Sequence, residues 1–165
     1  MQMTTAFFNN PTKGRLTFEE TILEIANFVL EEPKKIYKLI VGTDSNGKSD
    51  PDFVTAITIH RVGKGGRYYW TKIHKEKMPT IRQRIYEETM ISLNLAAILR
   101  EKLEKKLAEL HPLNHEDLEI HTDIGEHGDT REMIKEIVGM VRGNGFEVRI
   151  KPEAYGASVV ADKYT

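Results

Sequence analysis

The sequence predicts an α/β fold. Its mixed sheet has five strands, of which the first three form an antiparallel meander; a helix, a strand, a helix, a strand and a last helix follow, and one added helix stands in front. Three observations carry that expectation. An apolar run, Leu39-Ile40-Val41, is followed by two alternating segments joined by a glycine-rich turn. A long helical stripe free of glycine and proline comes next, and two short strands separated by a helix close the pattern.

Thr17-Phe18-Glu19-Glu20 has the form of a capping box, and apolar residues recur at Ile22, Ile25, Phe28 and Val29. An amphipathic helix is therefore expected to end near Glu31, before Pro33. Tyr37 to Asp44 reads as a strand whose apolar run faces both ways, which suits a central position. Phe53 to Arg61 and Arg67 to His74 alternate, with Gly63-Lys64-Gly65-Gly66 as the hairpin turn between them. That loop lacks the spacing of a phosphate-binding GxxxxGK[ST] motif and leads into a strand, not a helix.

From Thr80 to about Leu110, Ile81, Ile85, Leu95, Leu99, Leu103 and Leu107 line one stripe of a long helix. Leu118 to Asp123 is a short strand. Asp129 with Glu132 is expected to cap a helix carrying Met133, Ile134, Ile137, Val138 and Val141, which Gly143-Asn144-Gly145 ends. Phe146 to Ile150 is the fifth strand, and Glu153 to Thr165 reads as a short last helix.

A single domain over residues 1–165 is expected, since a chain of this length buries roughly 70% of its unfolded surface around one core. Hydrophobic residues make up 39% and charged residues 30%, the balance of an ordinary globular protein. The chain has no cysteine, which rules out disulfides and thiolate metal sites and makes a reducing cytoplasm the simplest compartment. Met1 to Pro11 lack the basic-then-apolar order of a secretory signal, and no run approaches 18 apolar residues, so no membrane association is expected.

A net charge of −1 gives no overall attraction to nucleic acid, but the charge is unevenly spread. Residues 60–84 hold eight basic residues (Arg61, Lys64, Arg67, Lys72, Lys75, Lys77, Arg82 and Arg84) against the single acid Glu76. With Tyr68, Tyr69 and Trp70 among them, this stretch has the means to grip phosphates and stack on bases; a solvated hairpin is the alternative.

Two strands end alike, in Val41-Gly42-Thr43-Asp44-Ser45 and Ile120-His121-Thr122-Asp123-Ile124-Gly125. In open α/β sheets ligands collect outside the carboxyl ends of strands, and two carboxylates delivered there repel unless a hard divalent cation relieves them. Turn initiation is the ordinary alternative for each aspartate. The long helix adds a third acid: its apolar stripe passes through Glu88, whereas Glu87 falls well off it. A carboxylate on a buried face is costly unless it is paired or coordinated. Histidines add little to this set. Pro112 breaks the His111/His115 pair as a helical zinc motif, while His121 and His127 stand near the predicted pocket as hydrogen-bonding or surface residues.

The motifs Gly42-Thr43-Asp44-Ser45, Glu88-Thr89, His121-Thr122-Asp123-Ile124-Gly125 and Ala161-Asp162-Lys163-Tyr164-Thr165 resemble the YkuK-like family of bacterial proteins, taken to be ribonuclease H-like nucleases. The resemblance runs from Leu16 onward and implies the ribonuclease H-like fold. It also implies Mg²⁺ or Mn²⁺ as cofactor and RNA or DNA as partner. The wider superfamily places an Asp on its first strand, a Glu on its first core helix, an Asp at the end of its fourth strand and often an acid on a late helix. Asp44, Glu88 and Asp123 match the first three, and Asp162 matches the fourth, with Glu153 and Asp129 as alternatives.

The expected activity is hydrolysis of phosphodiester bonds by two metal ions about 4 Å apart, held by Asp44, Glu88, Asp123 and Asp162. The alternative is an inactive module of the same fold that binds nucleic acid or a protein partner. The chain departs from typical ribonuclease H in its added N-terminal helix and in lacking a basic protrusion in the long helix, so specificity for RNA/DNA hybrids does not carry over.

Overall fold

The computed structural model describes residues 3–108 and 117–154. Its elements are β1 (Phe7–Asn10), β2 (Gly14–Thr17), α1 (Phe18–Glu31), β3 (Tyr37–Ser45), β4 (Asp52–Arg61), β5 (Gly66–His74), α2 (Ile81–Leu107), β6 (Leu118–His121), α3 (Ile134–Gly143) and β7 (Glu147–Arg149). The strands form one sheet in the order β2-β1-β5-β4-β3-β6-β7. β6 runs parallel to β3 and to β7, and the remaining pairs are antiparallel.

The predicted five strands are present as β3 to β7, but the described sheet has seven. The two additions form a hairpin ahead of the predicted first helix. Each has only four residues, too few to show a period. What makes the turn is Asn10, whose Oδ1 accepts from the backbone N–H groups of Thr12 (2.9 Å) and Lys13 (2.8 Å), and Gly14, whose φ of 76° suits a residue without Cβ. Phe8 and Leu16 turn inward and fasten the hairpin to the core.

Helix starts follow their local chemistry. Thr17 accepts from Glu20 N at 3.1 Å and caps α1, and Thr80 with Gln83 forms a reciprocal capping box on α2. The expected cap at Asp129 is a correction: Arg131–Met133 form a 3-10 turn and α3 begins at Ile134. Thr130 accepts no capping hydrogen bond from the turn; its Oγ1 accepts instead from Gly125 N at 3.2 Å, tying the loop after β6 to the helix entrance.

Alternation sorts the sheet into two unlike faces. Leu39, Val41, Ile57, Ile59, Tyr69, Leu118, Ile120 and Val148 share one buried cluster with residues of α1, α2 and α3, so all three described helices lie on that face. On the other, Ile40, Ala56 and Trp70 form a separate small cluster that, among the described residues, includes none from a helix. Glu153 lies in a turn after β7, and the expected last helix falls from residue 155 onward outside the described residues.

Candidate active site

β3 and α2 are locked together by hydroxyls at matched spacing. Thr43 Oγ1 bonds Ser92 Oγ (2.8 Å) and Thr55 Oγ1 (3.0 Å), all fully buried. Two residues further along the strand and one turn back along the helix, Ser45 donates from its hydroxyl to Glu88 Oε1 at 2.7 Å. Positions i and i+2 of a strand thus meet i and i−4 of a helix, which fixes the carboxyl of Glu88 over the carboxyl end of β3.

Glu88 is 6% exposed. Burial pushes its carboxyl up to about 8, and the charge of Asp123 pushes the same way; the Ser45 hydrogen bond and Arg84 oppose the rise only in part. Glu87, on the adjoining face of α2, turns away to an ion pair with Lys75. The two glutamates therefore differ in environment, as the stripe of the helix predicts.

Asp123 was expected to end a strand, but β6 stops at His121 and Asp123 lies two residues beyond it. The segment still follows β7: Thr122 N donates to Arg149 O (3.0 Å) and Lys151 N to Ile124 O (2.8 Å). This brings Lys151 Nζ to 2.7 Å from Asp123 Oδ1. Glu88 and Asp123 line one narrow crevice with Thr43, Ser92, His121 and Thr122.

Asp44 does not line that crevice. It stands between Thr43 and Ser45, both turned to α2, so the alternation of the strand directs it to the opposite face of the sheet, where it is 8% exposed. Its Oδ1 accepts from Ser45 N at 2.9 Å. Among the described residues no three of His, Cys, Asp or Glu gather closely enough to hold a metal ion. Asp162 lies outside the described residues, and Asp129 sits in the loop before α3.

Sequence reasoning missed three members of the site. Ser45 could have been found from its parity with Thr43, and Lys151 from the parallel register that pairs His121 with Arg149 and so carries Asp123 towards Lys151. The third is Glu119, buried on the face away from the helices, whose Oε2 lies 2.9 Å from His121 Nε2 and whose Oε1 lies 3.3 Å from Arg149. His121, which pairs with Gly42 as Glu119 does with Ile40, is thereby held by a carboxylate on that same face.

The basic stretch between residues 60 and 84 is largely neutralised within the fold. Arg61 pairs with Glu31 and Glu32, Lys64 with Glu32, Arg67 with Glu24, Lys75 with Glu87 and Arg82 with Glu136. Arg84 donates to the carbonyls of Met78 and Pro79. Tyr69 is buried among the helices, whereas Tyr68 and Trp70 face the other way.

These oxygen donors and this strand order agree with the comparisons to known proteins. The family model described as "Ribonuclease H-like" matches residues 20–165. "Uncharacterized protein YkuK" of Bacillus subtilis (strain 168) is 36% identical over 166 residues, covering 96% of each chain. No solved structure matches. The meander β3-β4-β5, the parallel entries of β6 and β7 and the match over residues 20–165 together show that this chain belongs to the ribonuclease H-like family, in its YkuK-like branch.

Proposed function

We propose that the chain hydrolyses phosphodiester bonds of RNA or DNA with the help of Mg²⁺ or Mn²⁺. The observation that carries this reading is the buried Glu88 carboxyl, held in a crevice beside Asp123 at the carboxyl ends of β3 and β6. An acid driven up to about 8 by burial and a neighbouring acid is a group prepared to exchange its proton for a cation. The donor set fits a hard cation: it is all oxygen, and one or two carboxylates with water and substrate phosphate suffice for Mg²⁺.

Glu88 and Asp123 would hold such an ion; Asp44, at the same end of β3 but directed to the opposite face, and Asp162 are the further candidates. When bound, the cation would supply Lewis-acid charge for the phosphoryl oxygens and an acidified water. The chain's own residues set the stage. Ser45 orients Glu88, the Thr55-Thr43-Ser92 chain fixes the helix that carries it, and Glu119 holds the His121 imidazole on the other face of β6.

One observation favours a second reading, a binding module without turnover. Lys151 already supplies Asp123 with a positive charge at 2.7 Å, the place a cation would take. Calorimetric titration with Mn²⁺ and Mg²⁺, on the wild type and on Asp44→Asn, Glu88→Gln and Asp123→Asn, separates the two. It should be followed by incubation with single-stranded RNA, DNA and hybrid oligonucleotides. Metal binding that is lost in the variants, with cleavage that EDTA abolishes, supports the nuclease; full cleavage by Asp44→Ala or Glu88→Gln overturns it. Nucleic-acid binding without metal dependence or cleavage would point to the module.

A further inference from the structure

The three strands on the far side of the sheet from the candidate site, β1, β2 and β5, contain no Asp or Glu. In a chain with 25 acids, that half of the sheet is a local exception. Its face away from the helices carries aromatic rings with cations beside them. Tyr68, Trp70 and Lys72 follow one another at every second position of β5. β1 adjoins through the Asn9–Trp70 pair and presents Phe7, which is 46% exposed although its neighbour Phe8 is wholly buried. From β2, the guanidinium of Arg15 lies over the Phe7 ring at 3.9 Å. Arg15 and Lys72 are exposed, and Tyr68 and Trp70 are half-buried.

We infer that this face, built by the N-terminal hairpin against β5, binds single-stranded nucleic acid. Stacking on Phe7, Trp70 and Tyr68 would take the bases, and Arg15 and Lys72 the phosphates. Rings two positions apart on a strand stand about 7 Å apart. That is about twice the 3.4 Å rise of stacked bases in a duplex, so the face accepts bases splayed out of their stack and not a paired helix. Stacking platforms of this kind tolerate any sequence, because every base has a π face. Charge complementarity argues for a polyanion: no acid on these three strands opposes it, whereas the other cations of the 60–84 stretch are mostly spent on Glu24, Glu31, Glu32 and Glu87.

The strand register also aligns the platform with Asp44. Lys72 pairs with Val54, and Val54 with Asp44, so platform and rim acid lie in one row across three neighbouring strands of the same face. The inference rests on nucleic acid as the partner in the reading above, but not on turnover.

Trp70 is the sole tryptophan of the chain, so its fluorescence reports on the platform alone. The test titrates the full chain in EDTA with dT and U oligonucleotides and with a duplex of equal length, following Trp70 quenching and the anisotropy of a labelled strand. Single strands should quench Trp70 and the duplex should not. Phe7→Ala and the pair Arg15→Gln/Lys72→Gln, all exposed positions that leave the core untouched, should each weaken binding roughly tenfold. The double variant should also flatten the dependence of log K on log salt by about 0.7 for each cation removed.

Unchanged quenching in these variants, equal binding of duplex, or capture of a protein in place of any oligonucleotide would overturn the proposal. Cleavage is scored separately with Mn²⁺ present. A wild type that binds and quenches but never cleaves would refute the nuclease and leave the platform standing, and cleavage without quenching would do the reverse.

Discussion

Replacing Glu88 by Gln asks whether the crevice stores a proton at neutral pH. The carboxyl, 6% exposed, has an ordinary value of 4.5 and is pushed up to about 8 in the fold. As pH rises from 4.5 the unfolded chain gives up this proton while the folded chain keeps it. The unfolded state binds fewer protons, so stability falls across that window and levels off above about 8, where both states are ionised. At about 1.4 kcal/mol per pH unit, the whole gap costs the fold roughly 5 kcal/mol. Gln has no proton to lose and still offers an acceptor to the Ser45 hydroxyl. Glu88→Gln should therefore match the wild type at or below pH 4.5 and exceed it by roughly 3–5 kcal/mol at pH 8.5. Urea unfolding in EDTA, followed by circular dichroism at pH 4.5, 6, 7.5 and 8.5, measures the difference directly. A difference that stays flat across these pH values would refute the reasoning, because a merely altered packing contact has no pH dependence.

Three further outcomes follow from the geometry. Lys151→Met removes the ammonium that lies 2.7 Å from Asp123; since the pair is partly exposed, calorimetry should show Mn²⁺ affinity rising only by roughly 2–5-fold. Thr43→Val leaves the buried hydroxyls of Ser92 and Thr55 without their shared partner and should lower the stability from urea melts by about 2–3 kcal/mol. Thr58→Val should do the opposite: the Thr58 hydroxyl is buried without a hydrogen-bond partner among the described residues, and an isosteric methyl should raise stability by about 1 kcal/mol in the same melts.

The long-range order of the fold was legible because its signals are periodic. α2 shows its stripe over 27 residues, and β3, β4 and β5 are nine or ten residues long, enough to display alternation. The N-terminal hairpin was not legible, since a four-residue strand carries no period and its turn depends on one asparagine side chain. At the site, helical periodicity distinguished Glu88 from Glu87. Strand alternation, applied to Asp44 as it was to the core, would have shown that Thr43 and Ser45 face the helix and Asp44 does not. Lys151 escaped notice because it reaches Asp123 through the pairing of two strands remote in sequence, information that a single chain read in order does not display.

The hairpin also decides where the sheet stops. Without β1 and β2, the rim would be β5, a nine-residue strand with three consecutive aromatic residues and its backbone donors and acceptors open to any passing chain. With them, the rim is β2, four residues long, opening on glycine and displaying Arg15, and the opposite rim is β7, three residues long with Glu147 and Arg149. Short, charged borders of this sort resist strand-to-strand self-association. Removal of residues 1–17 should consequently be felt first as oligomers and precipitate at concentrations where the full chain stays dispersed, before any change at the acidic crevice becomes measurable.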